Sequence, residues 1–73
     1  VQIYYFNAYL TYEQFLPFYQ GKIKKIQVID VKGRKIQLPA EHFRPFLTPD
    51  GISGEFALKV TPEGKFISLV RIN

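Results

Sequence analysis

Residues 26–38 read Ile26-Gln-Val-Ile-Asp30-Val-Lys-Gly33-Arg-Lys-Ile-Gln-Leu38. Apolar residues alternate with polar ones on both sides of a segment rich in turn formers, the pattern of a β-hairpin. Asp30 opens the turn, glycine is the third loop residue and a cation follows, which predicts a type I turn closed by a left-handed glycine. A three-residue loop sets Asp30 against Arg34, Val28 against Ile36 and Ile26 against Leu38. A two-residue loop would set Val28 against Gln37. Only the first keeps apolar side chains on one face, so the register follows from the hydrophobic pattern.

The same turn chemistry returns at Thr61-Pro-Glu-Gly64-Lys65. Thr61 facing Lys65 puts Val60 opposite Phe66 and Phe56 opposite Val70, and pairs Glu55 with Arg71 on the other face. The expected core is therefore Phe56, Leu58, Val60, Phe66, Val70 and Ile72 beside Ile26, Val28, Ile36 and Leu38. Gly33 and Gly64 are both expected at positive φ.

Upstream, Val1–Leu10 reads as a strand with two largely apolar faces, which predicts cover on both sides. Thr11 and Gln14 form a capping-box pair that starts a short helix. Tyr12, Phe15, Leu16 and Tyr19 form its apolar stripe, with Phe18 off that stripe. Pro17 is expected to kink or break the helix, and Gly21 to stop it. Between the hairpins, Pro39, Pro45, Pro49 and Gly51 forbid a long helix or central strand. One helical turn fits Ala40–Arg44, ended by Pro45. Thr48-Pro-Asp-Gly51 is a turn, and Phe43, Phe46 and Leu47 plug the core.

The order strand, helix, hairpin, connection, hairpin makes one domain over residues 1–73. The expected fold is mainly β: a small five-stranded antiparallel curved sheet or SH3-like barrel, with one short helix between strands 1 and 2. The alternative is an α+β open sheet with the helix on one face.

Several segments together resemble a known family. They are Tyr12-Glu-Gln-Phe-Leu-Pro-Phe-Tyr-Gln-Gly21, Ile36-Gln-Leu-Pro-Ala40, Arg44-Pro-Phe-Leu-Thr48 with Asp50-Gly-Ile52, and Lys65-Phe-Ile-Ser-Leu69. The chain resembles short uncharacterised bacterial proteins grouped as a domain of unknown function. The Arg-Pro-Phe-Leu-Thr…Asp-Gly-Ile run is the specific part, and Pro17 departs from the pattern. The resemblance implies a free-standing bacterial protein and transfers neither activity nor site residues.

With no cysteine and His42 as the single histidine, thiolate nucleophiles, histidine pairs and thiolate zinc sites are excluded. Ser53 or Ser68 could be combined with His42 and an acid on paper, but no spacing supports a triad. Glu41, Asp50, Glu55 and Glu63 read as scattered surface acids. No catalytic residue, cofactor or metal site is assigned, and an enzyme is not expected. No apolar run reaches the ~18 residues of a membrane span and no signal-peptide pattern is present. Together with the lack of cysteine, this makes a cytoplasmic protein with no membrane partner the expectation.

Charge is the one feature with a functional direction. Six cations against one acid lie between Lys22 and Lys35, while the rest of the chain carries four cations against five acids. A cationic ribbon with aromatics nearby can follow phosphates and stack bases. Lys24, Lys25, Lys32, Arg34 and Lys35 are therefore the candidate nucleic-acid-binding residues, with RNA or single-stranded DNA as partner. The same lysines would also protect a sheet edge and keep the protein soluble. The alternative function is a protein-interaction module or homodimer that uses an exposed strand edge and an aromatic face.

Overall fold

The computed structural model describes residues 1–73. Its elements in chain order are β1 (Gln2–Leu10), α1 (Tyr12–Tyr19), β2 (Lys25–Ile29), β3 (Lys35–Pro39), a 3-10 helix (Ala40–Phe46), β4 (Ile52–Val60) and β5 (Phe66–Arg71). The strands form two antiparallel sheets, β1-β4-β5 and β2-β3. The fold is thus mixed α+β with two open sheets, and the SH3-like barrel is not closed. Closure would need β3 to pair with β5. Pro39 has no N–H to give at one end of β3, and a bulge disturbs β5. The sheets meet instead at the first hairpin turn, where the Val31 amide donates to the Tyr5 carbonyl at 2.8 Å.

The first hairpin has the register its pattern demands: Ile26 faces Leu38 and Val28 faces Ile36. Its turn closes with the Asp30 amide donating to Arg34 O at 2.9 Å, and Gly33 has φ +82°. Gly64 has φ +88° in the second turn, and Val60 does face Phe66.

Beyond that pair the second register is not the expected one. Lys59 faces Ser68, Leu58 faces Leu69, Ala57 faces Val70 and Phe56 faces Arg71, so Ile67 is an extra residue in β5. The bulge carries Leu69 into the core opposite Leu58 and turns Val70 outward. Edge strands accept such bulges because one side of their ladder is free. Val70 and Ile72 are consequently exposed and Leu69 is buried, while Phe66, which precedes the bulge and faces Val60, is exposed as well rather than part of the core. The expected Phe56–Val70 and Glu55–Arg71 pairs do not form.

The core joins Phe6, Ala8, Phe15, Ile26, Leu38, Ala40, Phe43, Ile52, Phe56, Leu58, Val60 and Leu69. At its centre Phe56 stacks on Phe6 with ring centroids 5.7 Å apart, and meets Phe43 and Phe46 edge-on at 5.7 and 5.2 Å. Such pairs add to the area that large rings already bury, which is how a cysteine-free chain of this size closes a core.

Thr11 and Gln14 form the full capping box: the Gln14 amide donates to Thr11 Oγ1 at 3.1 Å, and the Thr11 amide donates to Gln14 Oε1 at 2.9 Å. The helix runs through Pro17 to Tyr19 without a break, and Gly21 follows at φ +81°. Its packed face differs from the expected stripe. Phe15 is buried and stacks on Phe18, which packs against the core, while Tyr12 and Tyr19 are exposed. Tyrosine hydroxyls favour the wet side and phenylalanine rings the dry one. Arg44 covers Tyr19, its guanidinium 5.0 Å from the ring centroid and its Nη2 donating to Tyr19 O at 3.0 Å. The 3-10 helix runs past Arg44 and Pro45 to Phe46, so Pro45 does not end it. Phe43 is buried, and Phe46 and Leu47 pack against the core.

Strand β1 is also not covered on both sides. Tyr4, Phe6, Ala8 and Leu10 turn inward, whereas Ile3, Tyr5, Asn7 and Tyr9 stand in solvent.

Candidate functional site

The basic hairpin is the candidate that sequence singles out, and the structure divides it. Strand alternation puts Lys25, Gln27 and Ile29 of β2 on the outer face with Lys35 and Gln37 of β3. Lys24, Lys25, Lys32 and Lys35 are all exposed and none makes an ion pair, since Arg34–Asp30 is the one salt bridge in the chain. Lys25 and Lys35 share the outer face but lie four residues apart along the ladder, ~13 Å at strand rise. No aromatic side chain stands between them on that face.

Arg34 is set apart from the lysines. It shares the inner side with Ile36 and Leu38, and its guanidinium lies 4.4 Å from the Tyr4 ring centroid. Its Nε and Nη2 both reach Asp30 Oδ2 at 2.7 Å. The other carboxylate oxygen of Asp30 accepts from the Lys32 and Arg34 amides at 3.0 and 2.7 Å. Burial alone would raise the Asp30 carboxyl. The hydrogen bonds from the Arg34 side chain and backbone and the Lys32 amide, with the guanidinium charge, outweigh it and hold the carboxyl below its ordinary value. Asp30 and Arg34 thus form a closed structural unit that fixes the turn against β1. Sequence composition counted Arg34 with the free cations because the partner it occupies is four residues away and the ring it covers is on another strand.

The gap left by the open barrel is a feature sequence reasoning missed. It is a groove of about 590 Å³ along the free side of β3, floored by Tyr4, Leu58 and Val60 and bounded across from β3 by Gly64 and Phe66. All six consecutive residues from Arg34 to Pro39 line it, as expected when a strand presents its backbone edge rather than one face. His42 supports the far wall, its ring stacked on Phe66 with centroids 3.6 Å apart and planes 5° from parallel. A second hollow of about 410 Å³ brings Lys24 and Lys25 beside Arg44 and Glu41. No three His, Asp or Glu side chains converge, and no helix is long and apolar enough to cross a membrane.

A family model described as "Protein of unknown function (DUF2835)" matches residues 2–72. The chain belongs to this family. The match covers both hairpins and the connection between them, so in this DUF2835 member the groove, the lysines and the Asp30–Arg34 unit all fall inside the family's domain. No curated protein and no solved structure matches the chain.

Proposed function

We propose that the chain is a non-catalytic binding module that receives an extended peptide in the groove, as a strand added to the free edge of β3. The observation that carries this reading is the direction of the β3 backbone. The Asp30 amide bonds Arg34 O at the turn, and the Ala40 amide bonds Lys24 O at the other end of the ladder. Alternation between these two points assigns the inter-strand bonds of the hairpin to Ile36 and Leu38. Lys35 and Gln37 then aim their N–H and C=O groups away from β2, toward the groove. An added strand would satisfy them, and alternate side chains would rest on Leu58, Val60 and Phe66, the usual division between affinity and specificity in strand addition. The groove's volume is within the ~300–1,000 Å³ of ordinary ligand sites.

The test is a peptide selected from a displayed library on the immobilised protein, then titrated while amide NMR shifts are followed. The largest shifts are expected at the Lys35 and Gln37 amides, and Gln37→Pro, which deletes one donor, should abolish binding. Shifts confined to Lys25, Gln27 and Ile29 would reject the groove.

A polyanion partner remains the second reading, favoured by the unpaired Lys24, Lys25, Lys32 and Lys35. It is weaker because the lysine face has no ring on which a base could stack. It predicts oligonucleotide binding that falls steeply with salt and is lost in the Lys25→Glu/Lys32→Glu variant.

A further inference from the structure

The outer face of the β1-β4-β5 sheet is apolar and open. Ile3 is 42% exposed, Tyr5 46% and Val70 48%. The register places Tyr5 and Val70 on either side of Ala57, forming one row across all three strands. Two residues before Ala57 on the same face is Glu55, opposite Asn7; two residues after it is Lys59, opposite Ile3 and Ser68. Both charges are exposed and neither has an ion-pair partner within the chain. The face therefore carries an acid and a base placed symmetrically about an uncharged row.

We propose that this face is a two-fold interface between copies of the chain, in which Glu55 of each copy meets Lys59 of the other. A two-fold axis lying in the interface along the Tyr5–Ala57–Val70 row reverses the direction of β4 and turns one face onto the other. It carries Glu55 to the position opposite Lys59 and Lys59 to the position opposite Glu55, making two equivalent pairs. Tyr5 then meets Tyr5 and Val70 meets Val70 around the small Ala57. An axis parallel to the strands would instead oppose Glu55 to Glu55 and Lys59 to Lys59, so charge selects the first arrangement. The same surface serving both partners is what a closed dimer requires. Rise and strand spacing give the face about 27 by 14 Å, small against the ~800 Å² per partner of standard interfaces, so the dimer is expected to be weak and concentration-dependent.

Sedimentation equilibrium on the whole chain, from micromolar to millimolar concentration, tests this. The wild type should reach dimer within that range. Glu55→Lys and Lys59→Glu should each weaken association about tenfold or more, because each turns both pairs into like charges. The exchanged Glu55→Lys/Lys59→Glu chain should recover it, since both pairs are restored with their signs reversed. Circular dichroism identifies any variant that fails to fold, and these exposed positions should not. A wild type that stays monomeric at millimolar concentration overturns the proposal. So does a dimer that ignores the single reversals, or a double variant no tighter than the singles.

Discussion

Gly51→Ala should damage this domain far more than Gly33→Ala, although both glycines have positive φ. At Gly33 an added Cβ would meet no atom within 4 Å. Only the left-handed backbone is penalised, at ~1 kcal/mol. At Gly51, with φ +105°, the Cβ would fall on the Leu10 carbonyl oxygen and lie 2.8 and 2.9 Å from the backbone C and Cα of Thr11. None of these atoms can rotate away. The turn must lift off the end of β1, which disturbs the Gly51–Thr48 amide bonds of 2.9 Å in each direction and the Leu10–Ile52 pairing beside them. Two hydrogen bonds at ~1 kcal/mol each, partial exposure of Ile52 at ~1 kcal/mol and the same ~1 kcal/mol of backbone strain give a loss of about 4 kcal/mol. Urea unfolding followed by circular dichroism would measure both variants, with Gly64→Ala, also free of neighbours, as a second control. A Gly51→Ala loss within ~0.5 kcal/mol of the Gly33→Ala loss, the usual scatter of such differences, would show that the close approach to Leu10 does not constrain the fold.

Phe56→Ala removes the ring shared by Phe6, Phe43 and Phe46 and should lower stability by ~3–5 kcal/mol. That is a large part of the about 4 to 11 kcal/mol expected for a domain this size, so loss of the urea transition at 37 °C is the readout. Thr11→Ala should cost about 1 kcal/mol through the lost helix cap, measured as a shift in the urea midpoint with unchanged slope. Asp30 has a depressed folded-state value, so its contribution is fully present above the ordinary carboxylate value near ~3.9 and is lost as pH falls through the lower folded value. The urea midpoint should therefore drop on acidification below about pH 4, and Asp30→Asn should flatten that drop.

The parts of this architecture legible in the sequence are those set by local chemistry. Thr11 and Gln14 cap the helix, and Gly33 and Gly64 close turns whose loop length follows from the apolar pattern of Ile26, Val28, Ile36 and Leu38. The parts that were not legible depend on choices between two apolar options. Strand β5 offers Phe66, Ile67, Leu69 and Val70, so either face could have been the inner one, and a bulge decides it. Helix α1 offers Tyr12 and Tyr19 or Phe15 and Phe18, and the hydroxyls decide it. The open barrel followed the same pattern, because the sequence names five strands without naming which edges stay unpaired. For the candidate site, charge counting picked out lysines that the first hairpin exposes. It could not separate Arg34 from them, nor see that Asp30 is buried by its own turn.

The extra residue in β5 can also be read as a choice of reading frame. Apolar side chains occur on both frames of this strand, so the segment could pair with β4 in either of two phases without losing its ability to cover the core. The bulge at Ile67 holds the protein in one phase. Straightening the ladder with Ile67 still in it would carry Val70 inward and send Leu69 to the surface, whereas deleting Ile67 would keep Leu69 opposite Leu58 and Val70 opposite Ala57. A lineage that lost the residue here would keep both its fold and its two faces, because the bulge takes up the difference in length. A single insertion is thus absorbed at the edge of this sheet, leaving the residues beyond it on the faces they would otherwise occupy.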